Sequence, residues 1–452
     1  MHPFSSTTFV FDSYDFNAKT GVIVLRYLVD GMPCTERIVI PVNGAVKPLP
    51  KQDLDRALFA LHLICGISYW KTLCPKNILV NSGTLTRTQA HFWNTVYTNG
   101  LGEFYFKNQI DFRDQVHFPY ETTAETPTVR GPKEREERLM VPIGGGKDSI
   151  VAAEMLKSLN VPMHAFAVEG VAAPIARSMH ALNLPSLLVE RVVDLDGLKT
   201  IAATHPTTFN GHVPISAIWS FLSTITALVY GASDVAFGWE RTASEGNADF
   251  LGLDVNHQWS KSLAFERSLQ VYLDDFVTKR VRVWSILRPF SEFAIVKRFA
   301  GMPQFLDAFS SCNRNFTIQN VAIGKDAFWC GACPKCAFVF NQLCAWLPHK
   351  DVVSIFGQDL YESEGLLDTY RELLGIAGNK PFECVGTSEE VAAAFELAFR
   401  RGDANKTRAM QLYTGEVRDA VPDHDAVIER LLAPSNEHAI PQDMMDRLPL
   451  FT

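Results

Sequence analysis

The sequence has no dense run of lysine and arginine, and its formal net charge is −8. Proteins that bind the phosphates of nucleic acids usually carry clustered basic residues, so we expect no nucleic-acid partner. The longest apolar segment, Ile215–Tyr230, is interrupted by serines and threonines and is too short for an easy membrane span, so it predicts a buried helix. The first residues show no basic region followed by an apolar run. We therefore expect no signal peptide, no membrane partner and a cytoplasmic protein.

Internal repeats and low-complexity tracts are also missing from the sequence. The chain has 452 residues, of which 47% are hydrophobic and 20% charged, as in ordinary globular proteins of two or three domains. Its nine cysteines would be reduced in the cytoplasm. Clustered cysteines in this chain therefore suggest a metal site rather than disulfides.

The pattern of apolar residues divides the chain into four parts. Residues 1–120 predict an N-terminal α+β domain, and the polar, proline-containing residues 121–138 predict a linker. Residues 139–346 alternate between strand-like and helix-like segments, which indicates an α/β domain with a doubly wound parallel sheet. Residues 347–452 predict a helical C-terminal region, in which Thr387 begins a capping-box pattern. In a sheet of this kind, ligands bind beyond the carboxyl ends of the strands.

A glycine-rich turn, VPIGGGKDS at residues 141–149, is the most informative stretch. It follows an apolar strand and precedes an apolar-periodic helix, a geometry that aims backbone N–H groups at an anion. A P-loop would need glycine at Val141 and serine or threonine at Asp148, and a dinucleotide fingerprint would need glycine at Ser149. The turn therefore predicts a nucleotide site of another kind; a turn without a ligand is the alternative.

The residues GGGKDS resemble the S-G-G-x-D-S signature of the PP-loop ATP pyrophosphatases, with glycine in place of the usual serine. In that superfamily the loop holds the β,γ-diphosphate of ATP, AMP passes to an acceptor, and diphosphate leaves. The resemblance implies ATP, and magnesium to neutralise the leaving diphosphate. It also implies a diphosphate site made of Gly144, Gly145, Gly146, Lys147, Asp148 and Ser149.

Cys330, Cys333 and Cys336 follow one another at two-residue spacing, and Cys312 lies upstream. Four thiolates suit a tetrahedral structural zinc ion or an iron–sulfur cluster. Cys344 is the competitor for the fourth position, and a set of unliganded thiols is the alternative. A similar arrangement holds zinc at the end of the PP-loop domain of the deazaguanine nitrile synthases, which favours zinc here.

The GGGKDS turn, an N-terminal α+β domain of this size and the segment WCGACPKCAF at residues 329–338 together resemble the MurL family of UDP-N-acetylmuramoyl-L-alanyl-L-glutamate epimerases. The resemblance covers most of the chain. It implies that the terminal L-glutamate of UDP-MurNAc-L-Ala-L-Glu is inverted to D-glutamate while ATP becomes AMP and diphosphate. Adenylation would neutralise the glutamate carboxylate and acidify the α-proton, so that a base and an acid on opposite faces could invert the centre.

Polar residues near the predicted strand ends are candidates for this chemistry. Glu240 and Arg241 could bind a substrate carboxylate or ATP, with a surface ion pair as the alternative. Cys65 and Cys74 could form a thiol pair like that of glutamate racemases, although Cys65 lies on an apolar predicted helix. The candidate acid–base or phosphate-binding side chains are Lys147, Asp148, His205, His212, His257 and Lys261. Which two of them form the epimerising pair stays open.

Two other functions fit the same motifs. Another PP-loop enzyme, such as a ligase that makes an amide, nitrile or thio product on a small molecule or tRNA, would require ammonia or a sulfur donor. A regulatory module would bind ATP without cleaving it. The chain opens Met1-His2-Pro3, without the N-terminal catalytic cysteine of a glutaminase, and has no recognisable thiol-carrier segment. Amide and sulfur transfer are therefore less favoured.

Overall fold

The computed structural model describes residues 7–42, 50–132, 136–169, 173–316 and 328–448. Nine of its strands form one mixed sheet in the order β11-β8-β5-β6-β7-β3-β2-β1-β4, and β9 and β10 form a separate pair. The strands are β1 (Thr8–Asn17), β2 (Val22–Val29), β3 (Met32–Val39), β4 (Asn77–Val80), β5 (Leu139–Pro142), β6 (Met163–Glu169), β7 (Ser186–Val192), β8 (Asp234–Phe237), β9 (Ala248–Phe250), β10 (Leu253–Val255) and β11 (Arg282–Ser285).

The second half of the sheet is parallel. Strands β11, β8, β5, β6 and β7 pair in parallel with one another in this order, which confirms the mostly parallel sheet predicted for residues 139–346. Their carboxyl ends consequently meet at one edge of the sheet, where a ligand site is expected.

The first half of the sheet is mainly antiparallel and is joined to the second. Strands β1, β2 and β3 form an antiparallel meander, β4 runs parallel to β1, and β3 pairs antiparallel with β7. A buried ion pair of 2.7 Å between Arg191 Nε and Glu36 Oε1 lies at this junction. The strands predicted as a separate N-terminal domain therefore continue the same sheet, which the sequence prediction did not include.

Helices surround this sheet. The 16-residue α8 lies where a buried helix was predicted, and α14 begins with the predicted capping box at Thr387. The helices are α1 (Lys51–Cys65), α2 (Ile67–Trp70), α3 (Arg87–Gly100), α4 (Gly102–Asn108), α5 (Lys147–Leu156), α6 (Ala173–Leu182), α7 (Leu195–Thr204), α8 (Ile215–Tyr230), α9 (Leu263–Tyr272), α10 (Glu292–Ala300), α11 (Pro334–Cys344), α12 (His349–Phe356), α13 (Leu367–Leu373), α14 (Ser388–Arg401), α15 (Arg408–Glu416), α16 (His424–Leu432) and α17 (Gln442–Met445). None of these has both the length and the hydropathy needed to cross a bilayer.

Apolar cores cover both faces of the parallel strands. Successive residues of a strand point to opposite faces. Met140 of β5 accordingly packs into the core that contains α1 and α8, whereas Leu139 and Val141 pack into the core that contains α5, α10 and α11. This double burial fixes the strand ends, and with them the loops that carry the polar residues described next.

Candidate active site

The glycine-rich turn joins β5 to α5. Gly145 has φ +80°, and a Cβ there would lie 3.0 Å from the backbone nitrogen of Ile175, so any larger residue would meet both strain and a neighbouring segment. At Gly144 a Cβ would meet nothing within 4 Å, so space is open beside the turn. Gly146 precedes α5, and no described side chain caps the first N–H groups of that helix. Such N–H groups can bind phosphate oxygens.

Lys147, the first residue of α5, is completely buried between two carboxylates. Its Nζ is 2.6 Å from Asp148 Oδ1 and 2.6 Å from Glu292 Oε1, and Lys335 Nζ lies 3.5 Å from the same Glu292 oxygen. Burial acts to raise the pKa of Glu292, but Lys147 and Lys335 outweigh it and lower that pKa, so the carboxylate is ionised. Glu292 Oε2 is buried without a hydrogen-bond partner among the described residues, which leaves an acceptor for a ligand.

Glu240 and Arg241 follow β8, and the structure separates their side chains. Glu240 is buried, and its Oε2 accepts a hydrogen bond of 2.7 Å from a backbone N–H of the following turn. Burial first, and then the charges of Glu292 and Asp148, raise the pKa of Glu240. The Arg241 guanidinium turns away, and its Nη1 donates to the Ala433 carbonyl over 3.2 Å. Glu240 therefore belongs to the site, and Arg241 lies outside it.

His212 and His257 lie together, joined by Glu103. Glu103 Oε2 is 3.1 Å from His212 Nδ1 and also hydrogen-bonds His257 Nδ1, which accounts for their spacing without a metal ion. Burial, followed by the charge of His257, lowers the pKa of His212 to about 3. Burial acts in the same direction on His257, but hydrogen bonds to Cys384 and Glu103 outweigh it and raise the pKa of His257 to about 9. At neutral pH His257 is thus a cation and His212 is neutral.

Cys384, which the sequence analysis did not single out, is a partly exposed residue whose thiol lies beside these groups. Lys261 Nζ donates to its Sγ over 3.3 Å, and His257 forms a second hydrogen bond with it. Lys335 Nζ donates to the Cys384 carbonyl, and the Lys335 backbone N–H donates to Glu383 over 2.6 Å. Burial acts to raise the pKa of the Cys384 thiol, but Lys261, His257 and Lys335 outweigh it and lower that pKa to about 5. Cys384 is therefore a thiolate at neutral pH.

The interactions above connect into one group, which we call the polar cluster. Hydrogen bonds and ion pairs lead from the glycine-rich turn through Glu292 and Lys335 to Cys384, and on to the histidines. Glu240 joins through its electrostatic interaction with Glu292, Asp148 and Lys261. The members of the polar cluster are Glu103, Lys147, Asp148, His212, Glu240, His257, Lys261, Glu292, Lys335 and Cys384.

A buried arginine holds two of the loops that build the polar cluster. Arg288 is 1% exposed, and its Nε donates to Glu266 Oε2 over 3.0 Å. Its two terminal nitrogens donate to the backbone carbonyls of Glu240 and Lys261. Arg288 thereby fixes the distance between the end of β8 and the loop before α9.

Six of the side chains proposed from the sequence for acid–base or substrate contacts lie in the polar cluster, and two do not. His205 Nε2 is instead 3.6 Å from the carboxylate of Asp30, at the turn between β2 and β3. Arg241 lies outside, as described above. Sequence reasoning missed four members: Glu103, Glu292, Lys335 and Cys384. Lys335 lies within the cysteine motif, which could have pointed to it, whereas no spacing motif marks the other three.

Cys312, Cys330, Cys333 and Cys336 form a second group, the cysteine cluster, whose Sγ atoms all lie within 4.8 Å of one another. Cys336 Sγ is 3.7 Å from Cys330 Sγ and 3.5 Å from Cys333 Sγ. Backbone N–H groups donate to Cys330 and Cys333, as occurs around thiolate ligands. Four thiolates so arranged fit a tetrahedral metal ion. Cys344, the other candidate for the fourth position, lies apart from them in the apolar core along α11.

The cysteine cluster also positions part of the polar cluster. Cys333 precedes the first residue of α11, and Cys336 lies in its first turn. Lys335 lies between them, and its Nζ reaches Glu292 and the Cys384 carbonyl. A change in the cysteine cluster would therefore move a cation of the polar cluster.

The glycine-rich turn follows β5 and Glu240 follows β8, so both lie at the carboxyl ends of neighbouring parallel strands. This is where α/β enzymes place their ligands. Family models identify the enzyme class more closely. The MurL N-terminal domain matches residues 2–286, and the MurL C-terminal domain matches residues 308–427. The chain therefore belongs to the MurL family, which confirms the resemblance seen in the sequence.

Three relatives carry the name UDP-N-acetyl-alpha-D-muramoyl-L-alanyl-L-glutamate epimerase. The protein from Xanthomonas oryzae pv. oryzae is 33% identical over 446 residues, which cover 98% of this chain and 97% of that protein. The protein from a Micromonospora species is 33% identical over 451 residues, or 96% of each chain. The protein from Salinispora tropica is 33% identical over 426 residues, or 92% of this chain and 89% of that protein.

The two family domains contribute different parts of the polar cluster. The glycine-rich turn, the histidines and Lys261 lie within residues 2–286, whereas Lys335 and Cys384 lie within residues 308–427. The site is complete only where the two parts meet.

Proposed function

We propose that this protein inverts the terminal L-glutamate of UDP-MurNAc-L-Ala-L-Glu to D-glutamate in peptidoglycan precursor synthesis, and that ATP becomes AMP and diphosphate in the reaction. The names of its relatives support the substrate and the inversion. The observation that carries the proposal is the polar cluster, in which a phosphate-binding type of turn and a thiolate among cations share one site. Activation and proton transfer would both need to occur on the same glutamate.

Inversion requires removal of the α-proton, and the free carboxylate of glutamate opposes it. A carbanion beside a carboxylate would place two negative charges on adjacent atoms. Adenylation converts that carboxylate into a mixed anhydride, so the electron pair left by the proton can delocalise onto a neutral acyl group. Water then cleaves the acyl-adenylate, which makes the inversion irreversible.

The residues of the turn would take the PP-loop role. The N–H groups at the start of α5 would bind the diphosphate of ATP, and Lys147 would be held in place by its two carboxylates. Asp148 and the free oxygen of Glu292 are the acidic groups nearest the turn that suit a magnesium ion. When bound, magnesium would neutralise the charge of the leaving diphosphate.

The cysteine cluster would hold a structural zinc ion through Cys312, Cys330, Cys333 and Cys336. A closed site with four protein ligands has no open position for substrate, so the ion would contribute to folding and not to the reaction. Its role would be to fix α11 and Lys335.

The test is to incubate the purified protein with ATP, magnesium and UDP-MurNAc-L-Ala-L-Glu in deuterated water. AMP and diphosphate are followed together with the chirality and mass of the glutamate. We expect AMP that depends on the substrate, and D-glutamate that carries one deuterium at its α-carbon.

Two other outcomes would replace the proposal. AMP release without inversion would retain adenylation but move the acceptor, which favours a PP-loop ligase. ATP binding without any AMP release would favour a regulatory module.

A further inference from the structure

The proposed reaction needs a base that reaches the α-carbon of the substrate. Such a group must be accessible, must be deprotonated at neutral pH, and must not be fully occupied by fixed ion pairs. Lys147 is completely buried between two carboxylates, and His205 faces Asp30 outside the polar cluster. His212 is neutral, but its Nδ1 lies 3.1 Å from Glu103 Oε2, and among the described residues no interaction connects it directly to the glycine-rich turn.

Cys384 meets these requirements. The Cys384 residue is partly exposed, and its thiol lies beside Lys261 and His257. Its backbone is fixed to Lys335, which also contacts Glu292 at the turn. The thiol is therefore held at a defined position between the turn and the histidines.

The other cysteines have different surroundings. Cys34, Cys65, Cys74 and Cys344 are buried within the apolar cores, and burial raises the pKa of each of these thiols. The four thiols of the cysteine cluster face one another. Among the described cysteines, Cys384 alone combines partial exposure with cationic neighbours.

We propose that the Cys384 thiolate is the base that removes the α-proton of the terminal glutamate after its carboxylate has been adenylated. This inference rests on the proposed function. In the step, the Cα–H bond breaks, an S–H bond forms at Cys384, and the electron pair of the C–H bond delocalises into the acyl group as an enolate. An acid on the opposite face, which exchanges its proton with solvent, then protonates Cα, and water hydrolyses the acyl-adenylate.

Lys261 and His257 would act on this step as positioning residues. Both donate hydrogen bonds to the sulfur, which orients a lone pair and keeps the thiol ionised. After the proton has moved to the sulfur, the negative charge lies on the enolate, near Lys261 and His257. The negative charge thus stays close to fixed cations throughout the step, which stabilises it more than water would.

The test compares wild-type protein with Cys384→Ser, Cys384→Ala and the control Cys34→Ala, which removes a buried thiol of β3. Each variant is assayed in deuterated water for substrate-dependent AMP release, for D-glutamate and for deuterium at Cα. We expect Cys384→Ser and Cys384→Ala to lose at least about 100-fold in inversion and deuterium uptake, because a hydroxyl or methyl group cannot act as this base. AMP release and the KM for ATP should remain within about threefold, and Cys34→Ala should invert at the wild-type rate.

A second measurement does not depend on variants that fold. Iodoacetamide is added to the wild-type protein, and the modified residue is mapped by mass spectrometry. Modification of Cys384 should stop inversion while substrate-dependent AMP release continues, and ATP with UDP-MurNAc-L-Ala-L-Glu should protect the thiol.

The outcomes separate this inference from the proposed function. Inversion with deuterium uptake at the wild-type rate in Cys384→Ser would overturn the inference and leave the proposed function intact. Loss of AMP release together with inversion in a folded Cys384→Ser variant would assign the thiol to adenylation and overturn its role as base. Failure of the wild-type protein to release AMP or to invert the substrate would overturn both.

Discussion

The cysteine cluster and the surroundings of Cys384 use the same side chain in opposite ways. In the cysteine cluster each sulfur faces other sulfurs, with the closest pair 3.5 Å apart. Cys384 faces nitrogen atoms of His257 and Lys261, and the Lys261 Nζ is 3.3 Å from its sulfur. Sulfurs that face one another need a shared cation before all can ionise, whereas a sulfur among fixed cations ionises without one. The first arrangement suits metal binding and the second suits proton transfer.

The largest expected effect is the loss of one sulfur from the cysteine cluster. Cys336→Ala should lower the free energy of unfolding by more than about 4 kcal/mol, because a metal ion with three ligands left would no longer hold α11. Metal content by mass spectrometry and denaturant unfolding measure this, with Cys344→Ala, on the same helix, as the matched control. If Cys336→Ala bound as much metal as the wild-type protein and unfolded at the same denaturant concentration, the cysteine cluster would not be a metal site. The proposed difference between the two thiol environments would then be wrong.

The next effect concerns a cation of the polar cluster. Lys147→Met should cost about 3–5 kcal/mol of stability, because it leaves the buried Glu292 with Lys335 as its remaining cationic partner, and it should abolish AMP release. Adding Glu292→Gln should restore part of the stability but not the activity. Urea unfolding and AMP assays measure the two effects separately. If Lys147→Met were as stable as the wild-type protein, the ion pair between Lys147 and Glu292 would not stabilise the glycine-rich turn.

A smaller effect tests whether cations set the chemistry of Cys384. Lys261→Met removes one of the groups that lower the pKa of the thiol to about 5, so that pKa should rise by about 1–3 units. The rate of alkylation of Cys384 as a function of pH measures the pKa. The charged groups that act on the thiol are Lys261, His257, Lys335 and, on the neighbouring residue, Glu383. An unchanged profile in Lys261→Met would show that the other groups suffice.

The same ionisation links stability to pH. The pKa of Cys384 is depressed on folding, so its contribution to stability is fully present above the pKa of the unfolded thiol and is lost as the pH falls through about 5. The pKa of His257 is raised to about 9, so its contribution is present at low pH and is lost as the pH rises through that value. Cys384→Ala should flatten the acid side of a stability–pH curve, which thermal unfolding between pH 4 and 10 would record.

The smallest effect is expected for a cation outside the polar cluster. Arg241 bonds a single backbone carbonyl of the C-terminal region. Arg241→Ala should change stability by no more than about 0.5 kcal/mol and activity by no more than about twofold. Steady-state rates measure the effect on activity. A strong rise in the KM for UDP-MurNAc-L-Ala-L-Glu would show that Arg241 does bind the substrate.

Local patterns in the sequence predicted the elements of the parallel half well. The apolar run of β5, the helix α8 and the capping box of α14 each follow from neighbouring residues. β1 is hard to predict from the sequence, because its polar residues and the irregular register between Phe11 and Ser13 disturb the alternation that marks a strand. The pairing of β3 with β7 was missed for another reason: it joins residues more than 150 positions apart, and no local pattern records it.

The candidate site shows the same limit. The glycine-rich turn and the cysteine spacing are motifs, so their residues could be named from the sequence. Cys384 lies in the segment KPFECVG, which has no motif, and its reactivity depends on Lys261 and His257 from a distant loop. Cys65 and Cys74 were also candidates in the sequence, but both are buried in the apolar core, where burial outweighs the neighbouring cations Arg191 and Lys71 and raises the pKa of each thiol.

The division of the polar cluster between two family domains has a consequence for the newly made chain. Lys261 and His257 are synthesised more than 100 residues before Cys384, and the cysteine cluster that fixes Lys335 lies between them. Until the last third of the polypeptide has left the ribosome and folded, Cys384 is an ordinary thiol with ordinary reactivity. The low pKa of the Cys384 thiol is therefore a property of the complete folded chain alone.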